Sequence, residues 1–95
     1  MLGVKLKELR ELNGFVQRQI AALLEIDTAY ISKIESGDKQ ISRDHLKKLA
    51  TVYKVSEKEL ITLWVADKII KIIEKEKVGK EAIQVVLNNI KTGHE

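Results

Sequence analysis

Apolar residues recur every three or four positions along most of the chain, and no stretch of four or more residues alternates cleanly between apolar and polar. This spacing predicts helices and no sheet. A leucine stripe predicts the first helix, which Asn13 and Gly14 end: Leu2, Leu6, Leu9 and Leu12. A second inward-facing stripe predicts a short helix over residues 17–24: Ile20, Ala21, Leu23 and Leu24.

Polar residues at helix starts predict the remaining boundaries. Asp27 is expected to cap a third helix over residues 28–35, with its carboxylate accepting the free amides of the first turn. Ser42 is expected to cap a fourth helix, whose inner face is Leu46, Leu49, Ala50 and Tyr53. Ser56 and Glu59 fit a capping box that starts a fifth helix. A break near residues 77–80 leaves a last helix over about residues 81–91, so the pattern predicts six helices and an all-α fold.

Residues 17–37 carry the most information about function. They predict two short helices joined by a turn of three or four residues. Small Ala21 permits a close approach of the two helices, while Ile26, Ile31 and Ile34 hold the second against the first. Such a helix-turn-helix can place its second helix in the major groove of DNA.

The C-terminal third carries two apolar stripes on its first helix. Leu60, Leu63 and Trp64 share one face that can cover the preceding core, so Trp64 is expected to be a core residue rather than a stacking platform. The opposite face and the last helix supply the predicted dimerisation residues: Ile69, Ile70, Ile72, Ile73, Val85 and Val86. A helix that is apolar on both sides must be covered on both sides, by the last helix, a second copy or another protein.

Length and composition limit the possibilities further. A chain of 95 residues provides one core, which we assign to a helix-turn-helix domain over residues 1–63 with a C-terminal helical extension over residues 64–95. The absence of cysteine excludes disulfides and suits a reducing compartment. The longest nearly apolar run, residues 60–66, is too short to span a membrane. We therefore expect a soluble cytoplasmic protein without a membrane partner.

The net charge of +3 lies entirely in the first part of the chain. Residues 1–55 hold ten Lys and Arg against seven Asp and Glu, whereas residues 56–95 hold seven of each sign. A basic half favours a polyanionic partner such as nucleic acid, although a solvated lysine-rich surface explains the same asymmetry.

The sequence resembles the Cro/phage-repressor type (Xre-like) helix-turn-helix family over about residues 4–63. The most specific match is Tyr-Ile-Ser-Lys-Ile-Glu-Ser-Gly at positions 30–37. The resemblance implies a five-helix repressor-like domain that binds double-stranded DNA. Three residues depart from the family pattern: Val16 replaces a capping Ser or Thr, Glu25 replaces a turn glycine, and Ile41 replaces a proline, which is expected merely to loosen a loop.

The resemblance also implies roles for individual residues. The base-contacting positions are Thr28, Ala29, Ser32 and Lys33; Lys33 can donate to guanine or touch only phosphate. The backbone-contacting positions are Gln17, Arg18, Tyr30, Lys39, Gln40 and Arg43. For Tyr30 and Arg18, core packing and solvation are the respective alternatives. Arg10 and Glu35 match a structural ion pair that joins the first helix to the end of the recognition helix.

Other chemistry finds no support in the sequence. His45 and His94 are the two histidines, and no cysteine, HExxH motif or carboxylate cluster accompanies them, so we expect no metal, no cofactor and no enzymatic activity. The predicted function is a transcriptional regulator, a repressor or autoregulator and a candidate restriction–modification controller, that binds a pseudo-palindromic operator as a homodimer. The alternative is an interaction adaptor or antitoxin-like regulator whose C-terminal helices bind a partner protein.

Overall fold

The computed structural model describes residues 1–91, which form six α-helices and no strand. The helices are α1 (Leu2–Leu12), α2 (Gln17–Leu24), α3 (Thr28–Ser36), α4 (Arg43–Val52), α5 (Glu57–Ile73) and α6 (Gly79–Lys91). The predicted all-α class and helix order are confirmed, and α6 starts slightly earlier than the sequence indicated. His94 lies outside the described residues. No helix in the described range is long and apolar enough to cross a membrane.

The chain divides into two compact units, Met1–Val65 and Ala66–Glu95, and α5 contributes residues to both. The first unit contains the hydrophobic core. Its buried apolar side chains are Leu2, Leu6, Leu9, Ile20, Ala21, Leu24, Ile31, Ile34, Ile41, Leu46, Leu49, Ala50, Tyr53 and Leu60. Leu63 and Trp64 pack against this core, as their shared stripe with Leu60 predicted.

Two leucines assigned to inner faces lie outside the core. Leu12 is 82% exposed and Leu23 is 49% exposed. The buried residues of α1 are centred on Leu6, and at 100° per residue Leu12 falls about 120° away from that centre. Leu23 lies in the same way to one side of the buried face of α2. The prediction was wrong at these positions because it followed the leucines rather than the centre of the buried arc.

Helices α1 to α4 all end in the same backbone motif. In each, an amide just beyond the helix donates to the carbonyl five residues earlier, as Phe15 does to Arg10 and Val55 does to Ala50. The motif requires one left-handed residue per helix, and these are Gly14, Glu25, Gly37 and Lys54, with φ of 75°, 57°, 87° and 57°. Glu25 thus adopts the left-handed conformation of the turn glycine that it replaces, whereas nothing in the sequence indicated one at Lys54.

The predicted N-terminal caps are only partly present. Ser42 Oγ accepts the His45 amide at 3.2 Å, as expected. Ser56 Oγ accepts the Glu59 amide at 3.0 Å, but Glu59 does not complete the capping box, because its carboxylate lies 3.7 Å from Lys5 Nζ. Asp27 stands at the N-cap of α3, yet its side chain accepts no capping hydrogen bond, so the predicted role of its carboxylate was wrong.

Helix α2 starts without a side-chain acceptor at its N-cap, as the missing Ser or Thr predicted. Val16 occupies that position in an extended conformation. The Val16 amide nevertheless donates to Gln19 Oε1 at 2.9 Å, which is one half of a capping box. Gln19 thus partly compensates for Val16.

The second unit combines the end of α5 with α6. Gly79 is its one buried residue in the part that the structure describes. A Cβ atom on Gly79 would lie 2.7 Å from the Ile73 carbonyl oxygen, so the start of α6 approaches the end of α5 very closely. Apart from the partly buried Ile73 and Ile83, the large apolar side chains of this unit are exposed.

Candidate nucleic-acid interface

Helix α3 is held by two other helices and leaves one face in solvent. Three residues, 25–27, join it to α2, which agrees with the predicted short turn. Helix α1 contacts it from another direction, where a Cβ on Gly3 would lie 2.6 Å from the carbonyl oxygens of both Ile34 and Glu35. Because that space is filled by backbone, glycine is required at position 3 for the two helices to approach.

The four predicted base-contacting residues share the exposed face of α3. Thr28, Ala29, Ser32 and Lys33 are all exposed, while Ile31 and Ile34 on the opposite side are buried. At 100° per residue the four side chains fall within an arc of about 140°. They present two methyl groups, two hydroxyls and one ammonium group, which can contact thymine methyls, donate to or accept from bases, and donate to guanine.

The predicted ion pair between Arg10 and Glu35 is present. Arg10 Nε donates to Glu35 Oε2 at 2.7 Å and Arg10 Nη2 donates to Glu35 Oε1 at 3.0 Å, which is a bidentate arrangement. Arg10 Nη1 also donates to the Phe15 carbonyl at 3.0 Å. The hydrogen bonds to Glu35 raise the pKa of the Arg10 guanidinium, and burial opposes this rise. The pair therefore fixes α1, the α1–α2 loop and the end of α3 to one another.

Gln17 joins this network, which sequence reasoning did not foresee. Its Nε2 donates to Glu35 Oε1 at 3.0 Å, so one carboxylate receives donors from both Arg10 and Gln17. The Gln17 side chain is partly buried, and its carboxamide retains an acceptor and a second N–H. Arg18, the next residue, is exposed to solvent.

The loop between α3 and α4 is tied back to α3. The amides of Asp38 and Lys39 both donate to the Lys33 carbonyl, at 2.9 and 3.2 Å. The Tyr30 hydroxyl donates to the Gln40 carbonyl at 3.3 Å, and the Tyr30 ring packs partly buried against the core. Lys39 and Gln40, two of the predicted backbone-contacting residues, are therefore held close to α3, which carries a third, Tyr30.

Trp64 makes two contacts in this region that the sequence did not predict. Its Nε1 donates to the Ile41 carbonyl at 2.8 Å, and the Arg43 guanidinium lies over its ring at 5.8 Å from the centroid. Ile41 itself is 2% exposed. The expectation that Ile41 merely loosens the loop was wrong, because its side chain is in the core and its carbonyl is bonded to α5.

A helix-turn-helix family model, HTH_3, matches residues 6–60, which is more than half of the chain. The chain belongs to the HTH_3 helix-turn-helix family. It is therefore a DNA-binding regulator of the Cro-type, Xre-like kind that its sequence resembles. Comparisons with curated proteins and with solved structures each gave no match.

The described residues of this HTH_3 domain and of α6 offer no group of side chains that could bind a metal ion. Within residues 1–91, no three His, Asp or Glu side chains are grouped so that they could hold a metal ion. The titratable cluster of the domain is Arg10, Glu35 and Tyr53. Burial raises the pKa of the Tyr53 hydroxyl; the nearby Glu35 carboxylate adds to the rise and Arg10 opposes it.

Proposed function

We propose that this regulator represses transcription by binding a pseudo-palindromic operator as a homodimer. The exposed face of α3 would read base edges through Thr28, Ala29, Ser32 and Lys33. Lys33 would discriminate most strongly, because its ammonium can donate to O6 and N7 of guanine, whereas methyl groups make weaker contacts with thymine.

The phosphate backbone would be bound on both sides of this helix. The proposed contacts are Gln17, Arg18, Tyr30, Lys39, Gln40 and Arg43. Arg18, Lys39, Gln40 and Arg43 support this role by their exposure, and Gln17 by its fixed position beside Glu35. Tyr30 would have to release the Gln40 carbonyl before its hydroxyl could donate to a phosphate oxygen.

The exposed apolar surface of the second unit is the observation that carries the homodimer. Ile69, Ile70, Ile72, Val85 and Val86 are 41%, 39%, 73%, 68% and 53% exposed. Large apolar side chains this exposed, gathered in one unit of the chain, are more typical of an interface than of a monomer surface. A second copy covers it most economically, because a two-fold dimer also presents two recognition helices to two half-sites.

Two narrower roles fit the same features. A small regulator whose extension is only helical suits the controller of a restriction–modification cluster, which is our proposal for its biological setting. The alternative is an adaptor or antitoxin-like regulator, in which a partner protein rather than a second copy covers the C-terminal surface. The alternative predicts a monomer that forms a stable one-to-one complex with that partner.

Base reading by Lys33 can be tested on an operator selected from a pool of randomised duplexes. We expect Lys33→Ala to cost about 1–3 kcal/mol on the selected operator and to relax the preference at one base pair. Lys80→Ala is the matched control, since Lys80 is an exposed lysine outside the family match. Fluorescence anisotropy at several salt concentrations would give the slope of log affinity against log salt, to which each phosphate contact contributes. Uniform weakening across all sequences by Lys33→Ala would reassign Lys33 to the backbone.

Dimerisation can be tested at Ile72, which is the most exposed of the isoleucines on α5. Ile72→Glu leaves the carboxylate in solvent in a monomer but buries it twice in a dimer, at a cost of several kcal/mol. We expect light scattering to show monomers and operator affinity to fall steeply, while Ile72→Leu stays dimeric. Ile73 is a poorer test, because it packs against Gly79. A wild-type monomer, or an Ile72→Glu dimer, would contradict this interface and favour the partner protein.

A further inference from the structure

The single tryptophan of the chain touches both ends of the segment that starts α4. Its indole N–H donates to the Ile41 carbonyl at 2.8 Å, and its ring lies under the Arg43 guanidinium at 5.8 Å. Between these two residues stands Ser42, the N-cap of α4. We propose that Trp64 is a positioning residue that holds Arg43 ready to bind a DNA phosphate.

Stacking on an aromatic ring occupies the face of a guanidinium and leaves its edge free. All five N–H groups of arginine lie in the plane of the guanidinium, so a ring beneath it does not use them. In the part of the chain that the structure describes, no carboxylate forms an ion pair with Arg43. The edge of this exposed side chain can therefore donate to the two oxygens of a phosphate.

The hydrogen bond to Ile41 fixes the backbone from which Arg43 projects. Ile41 is 2% exposed, so its carbonyl is near the core, where an unpaired oxygen is unfavourable. Ser42 then caps α4 through the His45 amide at 3.2 Å. Because Arg43 is the first residue of α4, fixing Ile41 and Ser42 fixes the direction in which the Arg43 side chain leaves the helix.

Pre-positioning of this kind raises affinity without adding a contact to DNA. A free arginine loses rotamer freedom when it binds phosphate, and the ring removes part of that loss beforehand. A cation–π contact at an exposed site contributes about 0.5–1 kcal/mol, which corresponds to a change of about twofold to fivefold in the dissociation constant.

A purely structural role for Trp64 would give a different result in combination with Arg43. If Trp64 only completes the core, its replacement weakens DNA binding by the same factor whether or not Arg43 is present. If Trp64 positions Arg43, replacing Trp64 no longer lowers DNA affinity once Arg43 has been removed. A double-mutant cycle separates the two cases.

The cycle uses Trp64→Leu, Arg43→Ala and the double variant, with a mixed-sequence duplex and the selected operator as probes. We expect Trp64→Leu to weaken binding of both probes by about twofold to fivefold, since phosphate contacts do not depend on sequence. In the Arg43→Ala background it should have no further effect. Arg18→Ala is the matched control. Its fold-loss of DNA affinity should multiply with the fold-loss caused by Trp64→Leu, because the two residues are expected to act independently. Equal losses in the wild-type and Arg43→Ala backgrounds would overturn the proposal.

Trp64→Phe keeps an aromatic face but removes the donor to Ile41, and it replaces Trp64→Leu in the cycle if the leucine variant fails to fold by circular dichroism. We expect Trp64→Phe to weaken binding by about twofold in the wild-type background, because the stack remains but the hydrogen bond to Ile41 is lost, and to have no further effect in the Arg43→Ala background. A loss with Trp64→Phe that persists in the Arg43→Ala background would contradict the positioning role.

The unaltered chain provides a second measurement, because Trp64 is its only tryptophan. Phosphate bound by Arg43 would lie beside the indole and change its fluorescence emission. We expect duplex DNA to change the emission in the wild type and in Arg18→Ala, but not in Arg43→Ala. Unchanged emission at saturating DNA would overturn the proposal.

The inference rests on the proposed backbone contact of Arg43. If the wild type binds neither duplex, the proposed function fails with it. If the wild type binds and the losses multiply, only the role of Trp64 fails.

Discussion

The two units of this chain use similar apolar residues with opposite results. In the first, one stripe per helix faces the others, and leucines such as Leu46 and Leu60 are 0% exposed. In the second, Ile72 and Ile90 are 73% and 68% exposed, although α5 and α6 are richer in isoleucine and valine than α1 to α4. Apolar content alone therefore does not make a core. The first unit buries its apolar stripes against one another, whereas the second leaves most of its large apolar side chains exposed.

The sharpest test of this difference is the same substitution in both units. Leu46→Ala empties a fully buried site, so we expect it to lower the free energy of unfolding by about 2–5 kcal/mol. Leu87, on α6, is 46% exposed, and Leu87→Ala should cost less than about 0.5 kcal/mol in dilute protein. Chemical denaturation followed by circular dichroism would measure both.

Protein concentration sharpens the same comparison. If a second copy covers α6, the cost of Leu87→Ala should rise with concentration, because dimerisation stabilises the folded state by mass action. The cost of Leu46→Ala should stay constant. A large cost for Leu87→Ala in dilute protein would mean that α6 is already covered within one chain.

Gly3 and Gly79, the two buried glycines within residues 1–91, allow a second matched comparison. A Cβ on Gly3 would lie 2.6 Å from two backbone carbonyls of α3, so Gly3→Ala should lower the stability of the first unit by about 1–3 kcal/mol. A Cβ on Gly79 meets the Ile73 carbonyl at 2.7 Å. Gly79→Ala should instead reduce hydrogen-exchange protection in α6 and leave the unfolding midpoint reported by Trp64 unchanged. A lowered midpoint for Gly79→Ala would show that the first unit depends on the second.

Alkaline pH should destabilise the first unit through Tyr53. Burial raises the pKa of its hydroxyl above the usual 10.0, so the unfolded chain releases the proton first. Stability contributed by the neutral hydroxyl is fully present below about pH 10 and falls above it by about 1.4 kcal/mol per pH unit. Tyr53→Phe should remove this part of the slope, as urea denaturation at several pH values would show. An unchanged slope in Tyr53→Phe would contradict the prediction.

The smallest effects are expected at the helix ends of the first unit. Glu25 and Lys54 have φ of 57°, a conformation that costs a non-glycine residue about 1 kcal/mol. Glu25→Gly and Lys54→Gly should each raise the free energy of unfolding by about 0.5–1 kcal/mol. Gly14→Ala is the reverse control, because a Cβ there meets nothing within 4 Å and only the backbone cost remains. Thermal melts in which either glycine variant is less stable would contradict this account.

The helices of the fold could be predicted because each one combines a stripe with a recognisable end. The stripe of α4 predicted its three buried residues, Leu46, Leu49 and Ala50, and also the buried Tyr53 that follows the helix. Leu12 was misassigned because the polar Arg10 forms part of the buried arc of α1, so the leucines alone do not mark its centre. Leu23 was misassigned because it lies beside the buried arc formed by Ile20, Ala21 and Leu24. Arg10 is 7% exposed only because Glu35, distant in sequence, neutralises it.

In the candidate interface, too, some features could be predicted from the sequence and others could not. The face of α3 follows from helical geometry and from the resemblance, so the shared exposure of Thr28 and Lys33 could be anticipated. The contacts of Gln17 with Glu35 and of Trp64 with Ile41 join residues 18 and 23 positions apart. No local pattern encodes such pairs. They depend on how the helices dock, which the periodicity of the individual helices does not reveal.

The bond between Arg10 and Glu35 also has a consequence for the lifetime of the folded state. Its partners are 25 residues apart, whereas the bonds that end each helix span only five. Closing the longer loop costs more chain entropy, so we expect the ion pair to form only after α1 has docked on α3. Interactions that form after the transition state slow unfolding without speeding folding. We therefore expect the pair to lengthen the lifetime of the folded molecule rather than to speed its formation.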